Sequence, residues 1–241
     1  MSMLFMTHCE CGYNADANCW SNLIAMPTEP KKIAQPAAAE PSFHGRREAN
    51  AQATRDAMIR AGRTAFSQYG FAEAPLDVIV QDAQVTTGAL YHHFGNKKGL
   101  FQAVAESIEQ EILDRISASL TDDMSGWEQL ETAMHMTFAL CADAGIHRIL
   151  FSDAPNVIGM REWRKIELRY GFGLVRGILG KLKDEGQLCC NSTDLTAQML
   201  LGAVMEAVHA VVMSEDSERT AAEAKETLLG FMQTLRSAPA A

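Results

Sequence analysis

Residues 85–101, VTTGALYHHFGNKKGLF, are the most informative stretch of this chain for its fold and its function. The first ten of these residues include two threonines, a glycine, a tyrosine and two histidines, but no carboxylate and no lysine. The chain as a whole has a formal net charge of -9 at pH 7. A short helix that is kept free of acidic side chains in such an acidic chain indicates a surface that approaches phosphates.

Two helices are predicted before this stretch, and they place it in a helix-turn-helix motif. Apolar residues repeat at helical spacing from about Ala51 to Tyr69, and Gly70 is expected to end that helix. Pro75 suits the first turn of a short second helix, and Thr86 is placed to cap a third. Two short helices joined by a tight turn are typical of DNA-binding helix-turn-helix units.

The third helix is predicted to bury one face and to present the other to DNA. Leu90 and Phe94, four residues apart, are expected to face the core. The other face carries groups that donate to phosphates or base edges, together with small residues that permit close approach. These outward residues are Thr86, Thr87, Gly88, Ala89, Tyr91 and His92. Lys97 and Lys98, at the start of a fourth helix, are expected beside phosphates.

Residues 54–101 resemble the DNA-binding domain of the TetR/AcrR family of bacterial transcriptional regulators. The resemblance rests on Ala65, Phe66, Gly70, Phe71, Ile79 and, above all, the run from 85 to 101. It implies phosphate contacts by Thr86, Tyr91 and Lys97. It implies base contacts by Thr87, Ala89 and His92, with Gly88 allowing close approach of the backbone.

Two positions depart from the family pattern. Ala74 and Pro75 stand where a threonine or serine often enters the second helix, which removes a capping hydroxyl that in many members also touches phosphate. Gln84 stands where the turn usually has glycine. These departures bear on the turn geometry and on one phosphate contact, not on the family.

The charge distribution agrees with a DNA-binding segment. Residues 46–103 hold seven lysines and arginines against five acidic residues, a net charge of +2. Residues 104–241 hold twelve against twenty-one, a net charge of -9, and residues 1–45 hold two against four. The one positive segment is therefore the one that is predicted to contact DNA.

The helical periodicity after residue 46 predicts an all-α fold in three parts. Residues 1–45 contain four prolines and an alanine run without a helical period, so we predict a disordered N-terminal leader. Residues 46–99 form the three-helix, helix-turn-helix DNA-binding domain. Residues 100–241 form a larger C-terminal helical domain for ligand binding and dimerisation.

The end of the chain is predicted to form a subunit interface. Residues 195–213 are apolar on nearly every side, so this helix needs cover on all faces. With the last helix it can build a four-helix bundle between two subunits, and the family resemblance implies the same two-fold dimer. The predicted interface residues are Val204, Val208, Val211, Leu228, Phe231 and Leu235.

Aromatic and methionine side chains in the middle helices are predicted to line an adaptable apolar ligand pocket. The candidates are Trp127, Met134, His135, Phe138, Phe151, Met160, Trp163, Tyr170 and Phe172. Ordinary core packing is the alternative role for each of them. A loop-like break is expected at Pro155, near the pocket entrance.

Other classes of function find little support. The chain has no G-x-S-x-G, P-loop or H-E-x-x-H motif, so no enzyme, cofactor or metal is predicted. The first residues do not form a secretory signal, and Gln198, Glu206 and His209 interrupt the apolar helix, so we expect a cytoplasmic protein without a membrane span. One alternative is metal or redox sensing through His8, Cys9, Cys11 and Cys19.

The favoured interpretation is a ligand-responsive, DNA-binding transcriptional regulator. Its expected partners are double-stranded DNA with a palindromic operator, a second copy of the chain and a small-molecule effector of unknown identity. The usual output of the family is repression that the effector relieves. The second alternative is a helical small-molecule-binding protein without DNA affinity.

Overall fold

The structure, a computed structural model, describes residues 43–237, with side chains from Arg47 onward. The helices of this range, in chain order, are α1 Phe43–Glu73, α2 Leu76–Asp82, α3 Thr87–Phe94, α4 Lys97–Ser119, α5 Gly126–Cys141, α6 Ala144–His147, α7 Met160–Asp184, α8 Thr193–Met213 and α9 Ser217–Gln233. The predicted all-α fold is confirmed. The predicted leader lies almost entirely outside the described residues.

The first helix is longer than the sequence pattern predicted. α1 begins at Phe43 rather than at Ala51. Residues 47–53 are exposed, so no apolar repeat marks this part, although arginine, alanine and glutamine favour helical backbone. At the other end Gly70 adopts a φ of 75° and interrupts the helix where the sequence predicted its end.

An aromatic cluster joins α1 to α4 and carries the helix-turn-helix motif. The ring of Phe101 packs edge-on against Phe66 at 5.1 Å and against Phe71 at 5.2 Å, measured between ring centroids. Phe66 and Phe101 are completely buried. Edge-to-face pairs of this kind stabilise a core beyond the area that they bury. They fix the exit of α1 against the base of α4.

A short segment between α6 and α7 differs from the expected loop. Residues Arg148–Asp153 and Pro155–Gly159 form two π-helical turns, which we call the linking turns. Pro155 occupies the first position of the second turn, where its missing N–H costs no hydrogen bond. Wide turns of this type are rare and often occur at functional sites.

The C-terminal helices begin at well-defined caps. Ser125 and Glu128 form a reciprocal capping box at the start of α5. Ser192 and Asp216 cap α8 and α9 with their side-chain oxygens. α8 packs between α7 and α9, and a single antiparallel bridge between Leu188 and Arg236 joins the segment before α8 to the end of α9.

α8 presents much of its apolar surface outside the single chain. It is long and apolar enough to cross a membrane by length and composition, with a mean hydropathy of 1.5 in its most apolar window. Only 17% of that window is buried in the chain. Leu195, Met199 and Met213 are between 61% and 71% exposed. A surface of this kind indicates a contact with another molecule.

Candidate functional site

The turn between α2 and α3 holds both helices in a helix-turn-helix arrangement. Val85 N–H donates to Val80 O and Gln84 N–H donates to Gln81 O, each at 3.0 Å. Gln84 has a φ of 55°, the left-handed conformation that favours glycine. The glutamine is therefore compatible with the turn but strains its backbone.

The caps of the two helices follow the sequence. Thr86 Oγ1 accepts a hydrogen bond from Ala89 N–H at 3.2 Å, which confirms the predicted cap of α3. α2 starts directly after Pro75 and has no side-chain cap, because no hydroxyl precedes it. Pro75 is thus the residue before the helix rather than its first member.

α3 buries Leu90 completely and exposes its opposite face. On that face Thr86, Thr87, Gly88 and His92 are exposed, Tyr91 is 51% exposed and Ala89 is half-buried. No acidic residue occurs in α3. Six of the seven predicted DNA-contacting residues therefore form one accessible surface of hydroxyl, phenol and imidazole groups around two small residues.

Two glycines beside this surface differ in what they are needed for. A methyl group at Gly99 would lie 2.0 Å from the carbonyl oxygen of Phe94, so the close approach of α3 and α4 requires glycine there. A methyl group at Gly88 would lie 3.8 Å from Thr86 Oγ1, an ordinary contact distance. Internal packing therefore does not require glycine at position 88.

Lys97, the seventh predicted contact, is engaged with the exit of α1. Its ammonium donates to the carbonyl oxygen of Ala72 at 3.0 Å and lies 5.1 Å from the centre of the Phe71 ring. Partial burial lowers the pKa of Lys97, and the nearby carboxylate of Glu73 opposes that shift. Lys97 thus fastens α4 to α1 at the edge of the exposed face.

The linking turns bind the same exit of α1 from the other side. Arg148 donates to the carbonyl oxygens of Ser67 and Gln68 at 3.0 and 2.6 Å. Asp153 accepts from Phe71 N–H at 2.8 Å. The helix-turn-helix motif and the C-terminal helices are therefore connected by defined hydrogen bonds as well as by the aromatic core.

A narrow cavity of about 80 Å³ lies between α4, α5, α7 and α8 and reaches the linking turns. Its wall is predominantly apolar. The polar residues that line it are Glu109, Thr137, Cys141, Arg164, Glu167 and Tyr170. An apolar cavity with a few polar groups has the character of a small-molecule site.

Two carboxyl groups and one thiol of this cavity have raised pKa values. Burial, with a smaller contribution from the like charge of Glu167, raises the pKa of Glu109 to about 8. Burial also raises the pKa of Glu167, while Arg164 opposes the shift from 3.4 Å. The pKa of the Cys141 thiol rises to about 12 for the same reason, so that thiol stays protonated.

The structure separates the predicted pocket residues into three groups. Phe151 and Tyr170 line the cavity. Trp127, Met134, Phe138 and Trp163 are buried outside its lining, and Phe172 is partly buried against the core. His135 and Met160 are exposed on the surface, Met160 by 67%.

Glu109 is the cavity residue that sequence reasoning missed. It follows Ala105 by four positions and precedes Ile112 by three, so it falls on the buried stripe of α4. A carboxylate at such a position is the sequence signal that could have identified it. A charged residue on an apolar stripe needs a partner, whereas the aromatic and methionine pattern that predicts the pocket carries no information about such a charge.

The predicted interface residues occupy different depths in the single chain. Val208 and Leu228 are only 2% and 6% exposed, so the chain itself already covers them. Val204, Val211 and Leu235 are half-buried, and Phe231 is 38% exposed. The freely exposed apolar side chains of α8 are instead Leu195, Met199 and Met213.

The alternative of a metal or redox site depends on residues outside the described range. His8, Cys9, Cys11 and Cys19 all precede residue 43. Between residues 43 and 237 no group of three or more histidine, cysteine or acidic side chains could hold a metal ion. Cys141, Cys189 and Cys190 are free thiols.

Two family models match this chain, and they cover both of its functional regions. Residues 58–104 match the model described as "Bacterial regulatory proteins, tetR family". Residues 127–235 match the model described as "Tetracyclin repressor-like, C-terminal domain". The first match contains the helix-turn-helix motif, and the second extends from the first turn of α5 to the end of α9.

Individual relatives give the same result. The chain is 31% identical to the transposon Tn10 TetC protein of Escherichia coli over 171 residues, which are 70% of this chain and 86% of that protein. It is 23% identical to the HTH-type transcriptional regulator UidR of Escherichia coli K12 over 197 residues, 79% and 93% of the two chains. The crystal structure of a TetR-family regulator from Pectobacterium atrosepticum is similar with a TM-score of 0.67, at 27% identity, and the match covers 80% of this chain and 98% of that one.

Proposed function

The chain belongs to the TetR family of bacterial transcriptional regulators, and we propose that it acts as a homodimer on a palindromic operator. It is a ligand-responsive DNA-binding regulator, and proteins of this family typically repress. The family consists of soluble DNA-binding proteins rather than enzymes, and we place this member in the cytoplasm, where its DNA is. The observation that carries the proposal is the exposed, acid-free face of α3.

On this face, some side chains are suited to contact base edges and others to contact phosphates. Thr87 and His92 offer a hydroxyl and an imidazole that can hydrogen bond to base edges in the major groove. Gly88 and Ala89 let the helix backbone approach the groove. Thr86 and Tyr91 can donate their O–H groups to phosphates, since the cap of α3 uses only the oxygen of Thr86 as an acceptor.

Lys97 is suited to a phosphate contact at the edge of this surface. One N–H of its ammonium donates to Ala72, which leaves two donors for a phosphate. The bond to Ala72 also reduces the freedom of the side chain. Less side-chain entropy is therefore lost when DNA binds.

The exposed apolar side of α8 supports the dimer. Leu195, Met199 and Met213 lie on α8, and Phe231 of α9 is also accessible. A second copy of the chain would cover this surface and place two α3 helices on one side of the dimer. Two such helices reach successive major grooves when they are about 34 to 36 Å apart.

The cavity supports effector binding, and the linking turns support its coupling to DNA. Phe151 belongs to the first linking turn and lines the cavity, and Asp153 of the same turn holds the exit of α1. An effector that prefers a different spacing of the two α3 helices would release the operator. Its effect is limited by its difference in affinity for the two states.

The test is direct binding to the promoter region of the protein's own gene. Fluorescence anisotropy would compare a labelled duplex from that region with a random duplex at several salt concentrations. We expect specific binding about a thousandfold tighter or more, with a steep salt dependence. Equal affinity for both duplexes would contradict operator recognition, and the absence of any binding would favour the alternative of a small-molecule-binding protein.

A further inference from the structure

One carboxyl group in the cavity has no partner among the described residues. Glu109 is half-buried, and it lines the cavity. No hydrogen bond or ion pair forms to its oxygens within residues 43–237, whereas the other acidic cavity residue, Glu167, pairs with Arg164 at 3.4 Å. A half-buried carboxylate beside an apolar wall is stabilised when a cationic group pairs with it.

Glu109 is the one acidic group of the cavity wall that has no cationic partner among the described residues. From α7, Glu167 and Arg164 line the cavity as an ion pair, so their formal charges cancel. From α5, Cys141 contributes a thiol that stays protonated. Tyr170 of α7 is also neutral, because burial and the nearby Glu106 raise its pKa. Glu106 in turn lies 3.9 Å from Arg169.

The uncompensated group is therefore Glu109, which carries a negative charge once it loses its proton. We propose that the cavity selects a slender, apolar effector with a protonated amine, and that Glu109 is its counter-ion. This inference rests on the proposed function in one respect, since it takes the cavity to be the effector site.

Two arguments favour an ammonium over other ligand groups, and the apolar wall favours a hydrocarbon chain. A carboxylate ligand would meet Glu109 and Glu167, and the one guanidinium of the wall already binds Glu167. A neutral hydroxyl would form a weaker hydrogen bond than the charge-assisted bond of an ammonium. The apolar wall of Ile112, Leu150, Leu174 and Leu201 suits a hydrocarbon chain, and the small volume of the cavity favours a slender one.

The protonation state of Glu109 links amine binding to two measurable quantities, the release of a proton and the dependence of affinity on pH. With a pKa of about 8, Glu109 is mostly protonated near pH 7 in the empty cavity. An ammonium stabilises the ionised form, so binding releases a proton. Affinity for an amine should consequently rise with pH up to about 8 and then level off, as long as the amine itself stays protonated.

The experiment is calorimetric titration of the full chain, without DNA, with n-octylammonium, n-octanol and n-octanoate. We expect n-octylammonium to bind about tenfold or more tighter than n-octanol, and n-octanoate to bind worst. Titrations in buffers with different heats of ionisation should show proton release near pH 7 for n-octylammonium alone. Equal affinity for all three compounds, preference for n-octanol or n-octanoate, or no binding of n-octylammonium would each overturn the proposal.

The variant Glu109→Gln tests whether Glu109 itself causes the preference for the amine. Glu109→Gln removes the charge at nearly constant volume, so it should bind n-octanol as the native chain does but lose both the preference for the amine and the proton release. A Glu109→Gln protein that keeps the preference would overturn the role of Glu109. If the variant fails to fold, the native chain still provides the test, because n-octylammonium binding without proton release near pH 7 would overturn the proposal. The titration contains no DNA, so a negative result would contradict the amine proposal without bearing on operator binding, which the anisotropy experiment tests separately.

Discussion

The backbone N–H of Phe71 donates a hydrogen bond to the carboxylate of Asp153 at 2.8 Å, across 82 positions of the chain. Phe71 belongs to the aromatic core under the helix-turn-helix motif, and Asp153 belongs to a linking turn whose Phe151 lines the cavity. Lys98 of α4 adds a longer contact of 3.5 Å to the carbonyl oxygen of Ile158. A change in the cavity can therefore reach the position of α1 through a single turn of the backbone.

The first prediction tests this connection. Asp153→Ala removes the acceptor, whereas Asp153→Asn keeps an amide oxygen that can accept from Phe71. We expect Asp153→Ala to speed hydrogen exchange at the Phe71 amide and to reduce the effect of n-octylammonium on operator affinity by about 0.5–2 kcal/mol. Asp153→Asn should behave like the native chain. An Asp153→Ala protein with native exchange and native response would show that the bond does not couple the two sites.

The second prediction concerns base recognition by α3. Thr87→Ala and His92→Ala should each weaken operator binding by about 1–3 kcal/mol and leave binding to random DNA nearly unchanged. Both side chains are exposed, so neither change should affect stability. Gly88→Ala should also keep the fold, since its methyl group has room, but should weaken operator binding. Anisotropy with both duplexes separates the two effects, and an equal loss on both would remove base recognition from that residue.

The helix-turn-helix motif was predictable because local signals and packing agree there. Gly70 interrupts α1 and Thr86 caps α3 as their residue types predict, and Leu90 is buried as its spacing from Phe94 predicts. Backbone geometry and a short-range hydrogen bond determine the first two, and helical periodicity determines the face on which Leu90 lies. They require no knowledge of which helices meet in space.

The cavity was less predictable, because it depends on how distant helices pack. Of the aromatic and methionine residues proposed for it, Phe151 and Tyr170 line it, while Trp163 fills the core and Met160 faces solvent. Composition alone does not distinguish these roles. The burial of Val208 inside its own chain likewise depends on contacts between α8 and its neighbours, which periodicity cannot reveal on a helix that is apolar on most sides.

The third prediction concerns the strained turn. Gln84 has a φ of 55°, and glycine adopts this conformation without the steric cost that a side chain incurs. Gln84→Gly should therefore raise the free energy of unfolding by about 0.5–1 kcal/mol. The matched control is Gln81→Gly inside α2, which should lower it by about 1 kcal/mol. Urea denaturation measures both, and a destabilised Gln84→Gly protein would contradict the assignment of strain to the turn.

The fourth prediction concerns Lys97. Lys97→Ala should weaken binding to operator and random DNA alike and reduce the magnitude of the salt slope by about one, because one phosphate fewer is neutralised. Loss of the bond to Ala72 should also lower stability slightly. Lys181→Ala, an exposed lysine on α7, is the matched control and should leave the slope unchanged. A native slope in Lys97→Ala would mean that Lys97 only joins α4 to α1.

The last prediction tests the dimer at a position that the single chain does not need for its own core. Val208 is 2% exposed, so Val208→Asp would place an unpaired charge inside the chain and unfold it whether or not a dimer exists. Met199 on the same helix is 63% exposed, so Met199→Asp leaves the core of the chain intact. In a dimer that packs α8 against its partner, however, the same carboxylate would be buried without a counter-ion.

Met199→Asp should consequently sediment as a folded monomer at micromolar concentration, while the native chain sediments as a dimer. Its operator binding should fall steeply, because tight binding needs two α3 helices at once, although no residue near DNA has changed. Met160→Asp, at an equally exposed methionine of α7, is the control and should remain dimeric and bind operator normally. A Met199→Asp protein that still dimerises would move the interface away from this face of α8, and a native chain that is monomeric would leave the exposed methionines and leucine of α8 to another partner.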